Sequence, residues 1–247
     1  QIYPKLAKHS VLWRRATFSQ YLLVYPRYKF LISMKLLIVA ATLPEIKPLL
    51  THFNFDGKVL TINDHTSVDV LITDAGIVAT AFAMGQHLAH QQYDLAINLG
   101  IAGSFDRDLA LGDVVWVTED TFADWGAEDG DHFLSIDQLG FGQSVQSASI
   151  PLNLPPISLK QVRSITVNKV HGNSTSITQT VNRLNPQVES MEGAAFFYAC
   201  NKTATPCIQV RSISNYVEPR NRDAWAITLA VETLNKFAIH LLNDLAS

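Results

Sequence analysis

Apolar runs of strand length alternate with helical stretches from Met34 to the C-terminus. This predicts an α/β protein: a single three-layer domain with a mostly parallel, mixed central sheet flanked by helices. Three observations carry the expectation. Leu36–Ala40 and Leu95–Leu99 are continuous apolar runs of the kind buried on both faces of a sheet. Helical patterns separate the strand-like runs. The chain closes with a long amphipathic segment, Arg222–Leu245, with Ile227, Leu234, Leu241 and Leu245 near helical spacing.

Each element has a local reason. After Leu36–Ala40, Pro44 and Glu45 stand where a helix starts, since proline suits a first helical turn. Val59–Ile62 and Val68–Thr73 are β-branched runs separated by the turn-like Asn63-Asp64. Gly76 precedes a helix over Val78–Gln91. Leu95–Leu99 is followed at once by Gly100-Ile101-Ala102-Gly103, expected to be a loop. Leu111-Gly112-Asp113 introduces a strand over Val114–Thr118. Residues 121–160 are broken repeatedly by Gly and Pro and form the least regular stretch. A strand over Ile165–Val170, a short helix over Gln179–Leu184, a helix over Met191–Lys202 and a last strand over Cys207–Ile213 complete the pattern.

The first 33 residues have a different character. They hold six basic residues (Lys5, Lys8, Arg14, Arg15, Arg27, Lys29) and no acid. The 13 basic residues that remain (19 less those six) face 22 acids, a net charge of −9. Residues 1–33 are expected to be a non-native or disordered basic extension and residues 34–247 the folded domain. A targeting segment fits less well, because aromatics are frequent.

Bulk properties exclude several classes. The whole chain of 247 residues carries a net charge of −3, so no global basic field recruits nucleic acid. No apolar run approaches the roughly 18–20 residues of a membrane span. Two cysteines, Cys200 and Cys207, are too few to staple a secreted scaffold, and a reduced cytoplasm is expected. The eight histidines show no metal-ligand spacing, so neither metal nor cofactor is expected.

In an open α/β sheet the ligand crevice lies beyond the C-terminal strand ends. The polar residues there are Glu45, Glu189, Glu192, and Ser214-Asn215, beside the Gly100–Gly103 segment. That segment is neither a dinucleotide fingerprint nor a phosphate loop. Glu192 stands among small and apolar residues at a helix start, where it finds a partner, binds a ligand, or is merely favoured by the helix dipole. Glu45 is equally a solvated helix-start acid, and Asn215 a turn or cap residue.

Four runs appear in one order: Ile97–Gly103, Leu111–Val115, Ser190–Ala195 (Ser-Met-Glu-Gly-Ala-Ala) and Val210–Asn215 (Val-Arg-Ser-Ile-Ser-Asn). Together they resemble the nucleoside phosphorylase and nucleosidase superfamily, from Met34 to the C-terminus. Within it the chain is similar to methylthioadenosine/S-adenosylhomocysteine nucleosidases. It is more similar to the futalosine hydrolase family, through Ser214–Arg220 and Trp225. The resemblance implies a nucleoside phosphorylase-like fold and a small purine nucleoside as partner. It implies release of hypoxanthine from futalosine on a menaquinone route, and assembly as a homodimer or larger. It also implies roles. Glu45 activates water and Asn215 faces the purine. Met191 and Glu192 lie under the ribose, and Arg211 orients Glu192. Ile101 and Gly103 border the substrate, although Ile101 and Ser104 depart from the nucleosidase pattern. No Arg follows the first strand to hold phosphate, which favours hydrolysis over phosphorolysis. The rival expectations are an adenine-directed nucleosidase, a phosphorylase, or a non-catalytic nucleoside store. A store would need neither Glu45 nor Glu192.

Deleting residues 1–33 is expected to leave activity and melting temperature nearly unchanged. A truncated chain that failed to fold would refute that expectation.

Overall fold

A computed structural model describes residues 34–57, 60–152 and 154–247. The basic segment 1–33, and Val59 at the start of an expected strand, lie outside the described residues. The described residues form eleven strands and five α-helices from Met34 onward. They are β1 (Met34–Ala40), α1 (Leu43–His52), β2 (Leu60–Asn63), β3 (Thr66–Ile72), α2 (Ile77–Leu88), β4 (Leu95–Ser104), β5 (Val114–Phe122), β6 (Gly126–Asp129), β7 (His132–Ser135), β8 (Val145–Ser147), β9 (Lys160–Thr166), α3 (Ser174–Leu184), β10 (Val188–Ser190), α4 (Gly193–Lys202), β11 (Cys207–Tyr216) and α5 (Ile227–Leu245).

The central sheet runs β10-β9-β5-β11-β4-β1-β3-β2, with β8 added beside β5. Pairings of β1 with β3 and β4, of β11 with β4, and of β9 with β5 and β10 are parallel, while β2, β8 and the β5–β11 pair run antiparallel. The sheet is not fully open, however. Strand β10 also pairs antiparallel with β4, so β4, β11, β5, β9 and β10 close into a ring. The β6–β7 hairpin stands apart.

Side-chain alternation along the strands makes two cores. Leu36, Ile38, Ile97, Leu99, Ile208 and Val210 face α1 and α5, packing on Ile46, Leu49, Leu234 and Leu241. Leu37, Val39, Ala96 and Ile213 face the other way, onto Met84 and Leu88 of α2 and Phe196, Phe197 and Cys200 of α4. Both faces of the sheet are covered, as the continuous apolar strands require.

Several boundaries differ from expectation for physical reasons. Gly100–Gly103 is not a loop but the second half of β4, paired with β11 and, at Gly103, with β10. Strand β9 begins at Lys160 rather than Ile165, because its first half alternates exposed Lys160, Gln161 and Arg163 with buried Val162. Helix α3 begins at Ser174, a Ser/Thr-rich turn of weak propensity. Asn173 rescues it as N-cap, accepting from Thr175 N (3.0 Å) and Ser176 N (3.3 Å). The irregular 121–160 stretch holds the β6–β7 hairpin and β8, which are too short to show periodicity.

Helix α1 has a defect with a purpose. Pro48 lies inside it, and a proline ring crowds the preceding turn. Asn235 of α5, which is buried, inserts its amide into the helix ladder there. Its Oδ1 accepts from Leu49 N (2.9 Å) and its Nδ2 donates to Glu45 O (2.8 Å), tying α5 to the backbone of α1. Asn235→Leu is expected to destabilise the protein by about 1–3 kcal/mol, the cost of leaving such groups unpaired. Urea denaturation reads this as a lowered midpoint at constant slope. An unchanged midpoint would mean that α1 closes its own ladder.

Candidate active site

A pocket of about 330 Å³ opens at the C-terminal ends of β1, β4, β10 and β11. Glu45, Ile101, Gly103, Met191, Glu192 and Asn215 all line it. Arg211 lies directly behind, 1 % exposed. All seven residues expected from sequence therefore converge on one place.

Glu45 owes its position to the start of α1. Its Oε2 accepts from Thr42 N (2.9 Å) and Thr42 Oγ1 (2.8 Å), the side chain reaching back to the N-cap as in a capping box. Its Oε1 accepts from Ile101 N (3.3 Å) on β4. A carboxylate bound at both oxygens, on a backbone tied to α5 through Asn235, has one defined orientation.

Glu192 precedes α4. Its Oε1 accepts from Gly76 N (3.0 Å) at the start of α2, and its Oε2 accepts from Met191 N (3.2 Å). Burial pushes its carboxyl above the ordinary glutamate range, the charge of Glu45 adds to that, and Arg211 opposes it. Arg211 in turn has its pKa lowered by burial, while Glu192, Asp120 and Glu45 hold its charge in place. Its Nη1 donates to Val210 O (3.3 Å) and its Nη2 to Gln209 Oε1 (3.3 Å). Among the described residues Nε has no partner.

Gly100 makes this assembly possible. A Cβ there would stand 3.1 Å from Arg211 Nη1 and 3.2 Å from Glu45 Oε1. Gly103 does the same at the other end, where a Cβ would meet Asn215 Nδ2 at 3.1 Å. The glycines serve close approach across a strand, not a turn.

Asn215 is the penultimate residue of β11, beyond a bulge between Ile213 and Asn215. Its Oδ1 accepts from Ser214 Oγ (2.8 Å) and its Nδ2 donates to Tyr216 O (3.0 Å), which fixes which end is oxygen. One lone pair and one hydrogen of the amide stay available to a ligand. Ala41, Trp225, Ile227 and Val231 supply apolar wall.

Sequence reasoning missed several participants. Thr42 could have been found, because Thr42-Leu-Pro-Glu45 fits the capping-box spacing. Glu189 drew notice but its partner did not. His171, which lines the pocket, donates its backbone N to Glu189 Oε1 (3.0 Å), pairs Nδ1 with Glu189 Oε2 (2.6 Å) and places Nε2 2.8 Å from Thr180 Oγ1. Nothing local in the sequence marks His171, Asp120 or Gln209. Among the described residues no group of three or more His, Cys, Asp or Glu could hold a metal ion, and no helix is long and apolar enough to cross a membrane.

The phosphorylase superfamily model matches residues 35–243. The chain belongs to the phosphorylase superfamily. Among superfamily members, a Streptomyces coelicolor futalosine hydrolase is 32% identical over 150 residues, 58% of this chain and 62% of that protein, so the match spans under two thirds of the relative. A 5'-methylthioadenosine/S-adenosylhomocysteine nucleosidase from Glaesserella parasuis is 25% identical over 249 residues, 86% of this chain and all of that one. The superfamily fold is seen also in the solved futalosine hydrolase of Helicobacter pylori, with a TM-score of 0.74 for its mutant and 0.73 for its native structure, each at 20% identity. The native structure matches over 86% of this chain and 98% of its own.

Gly100→Ala is expected to push Arg211 and Glu45 apart by a few tenths of an ångström. Misplacement by about 1 Å can cost about 10²-fold. A loss of about tenfold in kcat with a nearly unchanged melting temperature is therefore expected. Wild-type kcat would show that the approach is not tight.

Proposed function

We propose that this chain is an N-glycosyl hydrolase that cleaves a 6-oxopurine nucleoside by attack of water at C1′, with futalosine as substrate and hypoxanthine as the released base. One observation carries the reading: Glu45 and Glu192, two carboxylates with separate hydrogen-bond shells, share one pocket with Asn215 and are backed by a single buried arginine. On this reading the chain contributes to menaquinone formation. Val78 and Phe82 stand exposed on α2, which supports assembly of copies into a homo-oligomer.

The chemistry follows from the charges. Breaking the bond leaves an oxocarbenium-like sugar and a purine gaining negative charge. Glu45 takes a proton from the attacking water, an effect worth about 10²–10⁴-fold. Glu192 accepts hydrogen bonds from the ribose 2′- and 3′-hydroxyls, and these strengthen as the sugar becomes positive. Asn215 lies at the far end, near Gly103, and takes the base. Its NH₂ donates to O6 of hypoxanthine, and its carbonyl accepts from N7–H once that nitrogen of the departing base has taken a proton from solvent water. A carboxylate at Glu45 repels phosphate, which supports hydrolysis over phosphorolysis.

A second reading, hydrolysis of methylthioadenosine or S-adenosylhomocysteine, has the full-length likeness to the Glaesserella parasuis nucleosidase in its favour. Incubation with futalosine, inosine and methylthioadenosine, with and without phosphate, separates the readings. Phosphate-independent release of hypoxanthine is expected, and release of adenine alone would support the second.

Glu45→Gln is expected to keep substrate binding and lose at least about 10²-fold in kcat, since the amide cannot take the proton. Retention of more than about a tenth of the rate would remove Glu45 as the base, given that range. Glu192→Gln should weaken both binding and turnover.

Asn215→Asp is expected to lower kcat/KM for the hypoxanthine nucleoside and to raise it, relatively, for the 6-amino counterpart. A protonated Asp accepts from N6 and donates to N7, whereas the Asn amide cannot deliver a proton. Buried polar mismatches reach about 10⁴–10⁵ in specificity, less where water enters. An unchanged ratio between the two substrates would show that Asn215 does not choose the base.

A further inference from the structure

Behind the pocket lies a carboxylate that the chemistry above leaves unused. Asp120, on β5, is fully buried and does not line the pocket. Its Oδ1 accepts from Thr166 Oγ1 (2.7 Å) of β9, and its Oδ2 accepts from Gln209 Nε2 (2.9 Å) of β11. Thr166 Oγ1 also accepts from Ala194 N (2.8 Å), in the first turn of α4. Gln209 Oε1 accepts from Arg211 Nη2. A continuous chain of hydrogen bonds thus runs from Asp120 to the arginine behind Glu192.

The polarity of that chain is set from its far end. A guanidinium has donors and no acceptor, so Gln209 must turn its carbonyl oxygen to Arg211 and its amide nitrogen to Asp120. Thr166 accepts from Ala194 N and points its hydrogen at Asp120. Both oxygens of Asp120 therefore meet donors, as an ionised carboxylate requires. Gly193 leaves the space for it, because a Cβ there would overlap Asp120 Oδ2 and Gln209 Oε1.

Stability alone does not account for this acid. Burial raises its carboxyl from 3.8 to about 6, with Gln209, Thr166, Arg211 and Ser164 opposing that rise. Arg211 is the charged group among these neighbours. The folded chain holds the proton more tightly than the unfolded one, so stability falls as pH rises from about 4 to about 6 and stays lowered above that. At neutral pH the fold holds the ionised form of Asp120 less well than it holds the protonated form at low pH.

We propose that Asp120 is a positioning residue: through Gln209 it fixes where the Arg211 guanidinium stands behind Glu45 and Glu192. The inference rests on the ribose-binding role given to Glu192 above.

The test uses the full chain and three variants. Gln209→Met keeps the volume and cuts the link. Asp120→Asn preserves the link to Gln209, with the Asn oxygen accepting from Gln209 Nε2, and turns its amide to Thr166 Oγ1, whose hydroxyl hydrogen must then rotate away. Gln209→Met is expected to lower kcat/KM for the nucleoside about tenfold, a usual size for coupling within one hydrogen-bond network. Inhibition by free hypoxanthine, which binds at the Asn215 end, should not change. Asp120→Leu, which leaves Gln209 Nε2 without its acceptor, is expected to lose as much, and wild-type kcat/KM there would overturn the proposal; Asp120→Asn should stay within about twofold of wild type on the same scale. A purely structural role would lower the melting temperature of Gln209→Met and leave kcat/KM at the wild-type value, which overturns the proposal. Asp120→Asn as impaired as Gln209→Met would also overturn it, since charge rather than positioning would then matter.

A second measurement needs no substrate. The buried Arg211 guanidinium should show separate, slowly rotating Nη–H signals by ¹⁵N NMR, assigned by their loss in Arg211→Lys. These should persist in Asp120→Asn and merge in Gln209→Met. Unaltered signals in Gln209→Met would overturn the inference. If the wild type hydrolysed no nucleoside, the proposed function would fall while these signals, expected to merge in Asp120→Leu as in Gln209→Met, still decided whether Asp120 positions Arg211.

Discussion

A guanidinium withdrawn from water has to be neutralised where it stands, because an isolated buried charge is too costly to keep. Arg211 is such a group, and the architecture around the pocket is organised by it. Glu45 arrives from α1, Glu192 from the start of α4 and Asp120 from β5, three elements far apart in sequence. Three carboxylates against one cation leave an excess of negative charge, and burial raises the carboxyls of both Glu192 and Asp120. The arrangement is strained electrostatically, and it is held by hydrogen bonds to backbone amides and to Thr42, Thr166 and Gln209.

That requirement explains the composition of β4. A central strand would ordinarily carry β-branched side chains through its full length. Here the run turns to Gly-Ile-Ala-Gly at Gly100 while staying in register with β11. Side chains at Gly100 and Gly103 would occupy the space taken by Arg211, Glu45 and Asn215. The closure of the sheet by β10 has the same consequence. Pairing on both sides, with β9 and β4, leaves Val188, Glu189 and Ser190 no freedom to shift, so Met191 and Glu192 emerge at a fixed place on the rim.

The two helical layers act on opposite sides of the same pocket. Helix α5 secures the backbone of Glu45 through Asn235, which bonds Leu49 N and Glu45 O in α1. Helix α2 secures Glu192 through the amide of Gly76 at its start. Each acid is therefore oriented by backbone from an element other than its own, which keeps both carboxylates ordered without a direct bond to Arg211.

The sequence by itself determined the α/β class, most of the strands and helices, and the residues that meet at the pocket. Apolar periodicity is a local property, and the order of the four motifs needs no coordinates to be seen. It did not determine that Gly100–Gly103 is strand, because pairing with β10 and β11 is a long-range fact and glycine-rich runs look locally like turns. It did not reveal β10, three residues long, or the start of α3 and β9, where tertiary contacts outweigh weak propensity. Asp120, Gln209, Asn235 and His171 were invisible for a related reason. Each acts through a partner between 2 and 190 positions away, on a strand or helix whose neighbours only the fold brings together.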